Sequence, residues 1–268
     1  MLLLVPLICV PLQLLYLKAG QRYDLGGITY VATGTFAAAA ISRSADYGPT
    51  AHLAAVLFAA SLGAFVLRLV SLAFGRPADF TLISFGQLWA TPALIDYEIQ
   101  TNTQSSGLIV NSGHLSPGFV ALGACLFATI AGQLIAKSKL PNRLIAMTES
   151  PVQYRLLLGS RTVLALQIEL LAFLTYFLAG VALFTAVSDL SADEFGTESI
   201  WCVLAAAPMA RTSGFAVLAG PILATVIRVL IGSFVPARLA QLFVYLALAL
   251  LLTFVARHAK EASRDAAA

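Results

Sequence analysis

The stretch Ser116–Ala136, SPGFVALGACLFATIAGQLIA, contains no charged residue and decides the fold class. As an α-helix it rises about 1.5 Å per residue and so matches a hydrocarbon core of about 30 Å. Similar runs lie on both sides. Met1–Leu17, Leu25–Ser42 and Phe80–Ile95 carry no charge, and Ala51–Leu67 carries only His52. Thr162–Ser188 is long and holds Glu169, and Leu239–Ala256 is the last clear run. The runs are continuous rather than alternating, which selects helices over a β-barrel.

The whole chain agrees. Of 268 residues, 59% are hydrophobic and 11% charged, against roughly 45–50% and about 25% in soluble domains. Mean hydropathy is +0.88. Such a composition excludes an ordinary soluble enzyme, a disordered chain and a disulfide scaffold. The net charge of +3 is too small to point to nucleic acid. Cys9, Cys125 and Cys202 lie in apolar runs without metal-type spacing and read as small buried hydrophobes.

Residues 199–227 are less regular. Arg211 divides them, with Pro208, Gly214 and Pro221 nearby. Ser199–Ala210 would be roughly 18 Å long as a helix, too short to cross. Two short or half-inserted helices meeting near Arg211 are expected. The fold class is therefore an all-α integral membrane protein, a multi-span helical bundle of about 8–9 membrane segments. A single transmembrane domain is expected over 1–256, with a polar tail over 257–268. The first run lacks a basic leader and a cleavage signature, so it is kept as a membrane helix, tolerating or kinked by Pro6 and Pro11.

Charge sets the expected direction. The segment 137–161 carries Lys137, Lys139, Arg143, Arg155 and Arg161 against Glu149, and the tail carries Arg257, Lys260 and Arg264. Both belong in the cytoplasm by the positive-inside rule. Lys18, Arg22, Arg68 and Arg76 then fall inside. Asp46, Asp96, Glu98, Asp189, Asp193, Glu194 and Glu198 fall outside, with Arg43, Arg228 and Arg238 as the basic exceptions. This sorting gives nine segments with the N-terminus outside.

Chemical motifs are few. The chain has no H-E-x-x-H, G-x-S-x-G, nucleotide-binding G-x-x-x-x-G-K-[ST] or C-x-x-C. His52, His114 and His258 are far apart, and no nucleophile–base pair is evident. No catalytic residue, metal ligand or cofactor site is assigned. Passage or scaffolding is favoured over catalysis. Glu169 lies about seven residues inside its run, roughly 10 Å deep. It reads either as a functional intramembrane charge or as a side chain reaching the interface near Arg161 or Arg155. Small residues over Gly26–Ser42 fit either a path-lining helix against a partner subunit or packing within the chain.

Several ordered fragments resemble permease subunits of branched-chain amino acid-type ABC importers. Ala19-Gly20-Gln21, Leu25-Gly26 and Ala32-Thr33-Gly34-Thr35-Phe36-Ala37 are similar to the N-terminal signature of that family. Arg76-Pro77-Ala78-Asp79-Phe80 and Ile83-Ser84-Phe85-Gly86-Gln87 resemble its Arg-Gly-Asp-Tyr and Thr-Leu-x-Phe-Gly-Glu. Arg143–Arg155 with Leu157-Leu158-Gly159, then Leu178-Ala179-Gly180, Glu198-Ser199-Ile200 and Gly220-Pro221 follow in family order. Gln87 stands where the family has Glu, and the family's glycine-rich Gly-Gly-x-Gly-Ser is Ala210-Arg211-Thr212-Ser213-Gly214.

The resemblance implies a permease that moves a small solute, such as an amino acid, amide or urea-like molecule, by alternating access. It implies a second permease subunit, two ATP-binding cassette subunits that bind ATP and Mg, and an external solute-binding protein. The setting would be the bacterial inner membrane, with the C-terminus cytoplasmic. Arg143, Met147, Glu149, Ser150, Pro151, Gln153 and Arg155 would form the ATPase-coupling segment, with about two helical turns over Arg143–Ser150. Thr33, Gly34, Ser84, Gln87 and Arg211 would face a polar path. The alternative is a stand-alone secondary transporter; a membrane-embedded enzyme ranks third.

Overall fold

The structure, a computed structural model, describes residues 4–18, 24, 26–42, 49–74, 77–102, 116–149, 160–186 and 217–235, with Tyr154, Phe243, Leu246, Ala247 and Leu250 as isolated positions. The described elements are all helical. In chain order they are α1 (Leu4–Lys18), α2 (Gly27–Ser42), α3 (Pro49–Phe74), α4 (Pro77–Asn102), α5 (Pro117–Lys137), α6 (Leu140–Glu149), α7 (Arg161–Ala186) and α8 (Ala219–Phe234). By length and composition three stretches are able to cross a membrane alone: Thr50–Phe74, Gly118–Ile135 and Arg161–Ala186. Leu4–Tyr16, Gly27–Ser42 and Ala219–Phe234 are shorter apolar helices. Helix α4 is long but carries Asp79, Asp96 and Glu98.

Local signals explain α5 and its neighbour. The Ser116 side chain caps α5 by accepting from the Phe119 N–H, and Pro117 occupies the first turn, where its missing N–H costs nothing. At the other end Ser138 Oγ donates to the Ile135 carbonyl at 3.0 Å and accepts from the Leu140 N–H at 3.4 Å. That serine hinges α5 into α6.

Helix α2 sits at the centre. It packs along α7 and against α3 and α4. Helix α1 packs on α5 and α7, and α3 on α4 and α7. Every residue of α2 from Gly27 to Phe36 is buried. The small residues over 27–36 and Ala39 pack within the chain, while Ala37, Ala38 and Ala40 are half-buried. At the α2–α7 crossing a Cβ on Gly34 would strike the Phe177 carbonyl, and one on Gly180 would strike the Val31 carbonyl. Each helix supplies a glycine where the other's backbone approaches, the close packing that replaces hydrophobic drive in lipid.

The outside of the bundle is largely apolar, and the inside holds polar groups within an apolar core. Phe58, Leu62 and Leu67 of α3, Leu122, Leu126 and Ile130 of α5, and Leu166, Leu170 and Leu174 of α7 are exposed. Gln13, Asp24, Thr33, Arg68, Ser84 and Glu169 are fully buried. A soluble protein rarely exposes continuous apolar faces of this extent, whereas lipid solvates them. The pattern fits a helical bundle able to lie in a membrane, with three helices long and apolar enough to cross it.

Three expectations need correction. Helix α3 continues past Leu67 to Phe74, so Arg68 lies inside it rather than at its inner boundary. Apolar Leu69, Val70, Leu72 and Ala73 prolong the run beyond one compensated charge. Helix α8 likewise runs through Arg228, expected in an outer loop, to Phe234. Arg228 is only half-buried, and its long stem lets the charge reach a polar layer. The second short helix therefore starts and ends later than expected. Arg211, the first half of that pair, Cys202, the last run at 239–256 as a helix and the tail 257–268 lie outside the described residues.

Candidate functional site

At one end of the bundle the C-terminal half of α1, the start of α2, the last turns of α3 and the first turns of α4 and α7 converge. Helix α6 lies at the same end, since it joins α5 to α7 and packs on α1. Arg68 occupies the centre and is fully buried. Its Nη1 donates to Asp24 Oδ1 and its Nη2 to Asp24 Oδ2, both at 2.7 Å. This is a bidentate fork, the strongest geometry available to a guanidinium and a carboxylate. Arg68 Nε lies 2.8 Å from Glu169 Oε1, an ion pair whose N–H is not aligned as a hydrogen bond. Gln87 Oε1 is 3.5 Å from Nη1. The Phe80 ring lies 4.9 Å from the guanidinium carbon and the Tyr30 ring 5.3 Å, within cation–π range.

The anions are held in different ways. Asp24 Oδ1 also accepts from the Gly26 N–H at 3.0 Å. Its backbone is clasped by Gln13, whose Nε2 donates to the Asp24 carbonyl at 2.7 Å and whose Oε1 accepts from the Asp24 N–H at 3.3 Å. Gln13 Nε2 also donates to Tyr176 Oη at 2.8 Å. Glu169 is held by one oxygen only: the Tyr30 hydroxyl donates to Oε1 at 2.7 Å, and Oε2 has no hydrogen-bond partner. Gly26 leaves room here for the ends of Gln87 and Arg68, which a Cβ would displace. Tyr16 Oη, Ser84 Oγ and Gln87 Nε2 are further buried atoms without a hydrogen-bond partner.

A hydroxyl ladder continues along α2 from this centre. Thr29 and Thr91 share a hydrogen bond of 2.7 Å, joining α2 to α4. Thr33 shares one of 2.6 Å with Ser61 and reaches the Leu57 carbonyl at 3.1 Å, joining α2 to α3. Thr35 donates to the Gly180 carbonyl at 3.0 Å, joining α2 to α7. Each hydroxyl is satisfied where lipid offers no water. At the opposite end of α3 and α4, His52 Nδ1 lies 3.1 Å from Glu98 Oε2.

The residues singled out from sequence divide into two groups. Ser84 and Gln87 lie about one turn apart on α4, and Gln87 touches Arg68. Thr33 belongs to the hydroxyl ladder and Gly34 to the α2–α7 crossing. Glu169 faces inward to Arg68 rather than outward to Arg161 or Arg155. In the segment expected to couple to an ATPase, Arg143 is exposed on α6, Met147 is buried, and Glu149 is the last residue of that helix. Ser150, Pro151, Gln153 and Arg155 lie outside the described residues. Sequence reasoning missed Asp24 and misplaced Arg68. The available signal was the apolar run resuming after Arg68, which puts an arginine inside a membrane-length stretch and demands an anion.

The arrangement ties four helices through one cation in a dry interior. Separation of α3 from α7 must break an ion pair, so the cluster is either a fixed staple or the contact that a moving bundle makes and breaks. No protein-family model, curated protein or solved structure matches the chain.

Proposed function

We propose that this chain is the permease subunit of an ABC-type importer for a small solute, working in the bacterial inner membrane with a partner permease, two ATPase subunits and an external binding protein. The observation that carries the reading is α6. It is a ten-residue helix between two membrane-length helices. Leu144 and Met147 are buried, while Asn142 and Arg143 are exposed. Such a helix is anchored on one face and offers the other to a motor. ATP and Mg would be held by the partners, and a push on α6 would reach α1 and the hinge at Ser138. Rigid-body movement of this kind is a common switching device.

The test is co-purification from the native membrane followed by reconstitution. An ATPase subunit is expected to accompany the chain, and Arg143→Glu is expected to uncouple ATP hydrolysis from transport while insertion stays intact. Loss of insertion would instead mark 137–161 as a topology signal. A stand-alone secondary transporter is the second reading, and the buried Asp24–Arg68–Glu169 set favours it, since charges inside a bundle are characteristic of ion-coupled carriers. Full gradient-driven transport by the isolated chain in vesicles would select it.

A further inference from the structure

We propose that Glu169 is a proton-binding site, carrying a proton in the closed arrangement seen here and releasing it when α3 and α7 part. The inference stands whichever engine drives the protein. Charge counting comes first. One guanidinium meets two carboxylates, so the cluster with both ionised holds one uncompensated negative charge away from water, an arrangement low-dielectric surroundings oppose. Among the described residues, the groups facing Glu169 supply no second cation. Helix α2 brings Tyr30, with Asp24 just ahead of it; α3 brings Arg68; α1 brings Tyr16; α4 reaches the cluster through the neutral Gln87. The only charged residue of α5 is Lys137 at its end, and Arg161 lies roughly two turns back on α7 itself, with Tyr176 roughly two turns ahead.

The bonding pattern says which carboxylate takes the proton. Asp24 has both oxygens engaged by Arg68 and a third donor from Gly26. Each Asp24 oxygen thus already accepts from at least one donor. Glu169 has one engaged oxygen and a bare Oε2. A proton on Oε2 removes the surplus charge and leaves the Tyr30 and Arg68 contacts to Oε1 intact.

Space then selects the proton over a larger cation. Three cavities among the described residues, of about 280, 340 and 460 Å³, have no cluster residue in their walls. Around the cluster a single methyl group at Gly26 already collides. On opening, the O–H bond at Oε2 breaks, the proton passes to incoming water and Glu169 becomes a carboxylate; closing reverses the transfer.

The experiment is infrared spectroscopy of the full chain in lipid nanodiscs. At neutral pH the wild type is expected to show the C=O band of a protonated buried carboxyl. The band should shift on carboxyl-¹³C labelling of glutamate and stay in place on labelling of aspartate. It should vanish in Glu169→Gln, and also in Asp24→Asn, where Arg68 compensates Glu169 and no surplus charge remains; the labelling therefore decides which carboxyl carries the proton. The labelling arm uses wild-type protein and holds even if a variant misfolds. Absence of the band at neutral pH, or its shift on aspartate labelling, overturns the proposal.

Discussion

Helix α3 holds a polar pair toward each end, in opposite surroundings. Toward one end Arg68, Asp24 and Glu169 are sealed from solvent. Toward the other, His52 meets Glu98 of α4, with the histidine side chain 61% and the glutamate side chain 11% exposed. Distances hardly differ, at 2.7 and 2.8 Å against 3.1 Å. The energetics should differ greatly. Water screens the outer pair, and exposed pairs are worth about 0–1 kcal/mol. Inside the bundle each charge has given up its hydration, so removing one partner strands the others. Contact geometry alone therefore does not rank the two ends; the surrounding medium does.

The largest effect should come from Arg68→Met, which leaves Asp24 buried without its cation and is expected to cost about 3–5 kcal/mol, read from unfolding in lipid or mixed micelles. Asp24→Asn/Arg68→Met/Glu169→Gln removes all three ionisable groups and should regain much of that loss, because a set with no ionisable group has nothing to strand. If the triple variant is no more stable than Arg68→Met, the cost came from lost packing rather than buried charge. Gly180→Leu leaves the charges alone but forces α7 off α2, and overpacking of this kind costs about 1–3 kcal/mol in the same assay. His52→Ala should change stability by no more than about 1 kcal/mol. A larger loss there would show that the outer pair is also shielded from water.

Much of the bundle was legible because lipid imposes a simple rule: apolar runs of membrane length must become helices. Ser116–Ala136 and Thr162–Ser188 follow it nearly residue for residue as α5 and α7. Charge was harder to read. Arg68 interrupts an apolar run, and an interruption looks like a boundary until the run is seen to resume through Phe74. Asp24 sits just before α2 and looks like a loop residue. Its role depends on Gln13, Gly26 and Arg68 arriving from other parts of the chain, a tertiary fact that no local pattern carries. Glu169 could be flagged by its cost in a span, and Ser84 and Gln87 by their place in a motif. Their assembly around one guanidinium required the fold. The short helix α6 was expected as two turns over Arg143–Ser150; it spans Leu140–Glu149 and so begins three residues before Arg143.

The most direct measurement is a double-mutant cycle on Asp24→Asn and Arg68→Met, with unfolding followed in a lipid environment. The bidentate fork predicts strong non-additivity: the double variant should be more stable than the summed single losses imply, by about 0.5–3 kcal/mol. Additive losses, within about 0.5 kcal/mol, would mean that the two side chains do not meet inside the bundle and would contradict the buried cluster.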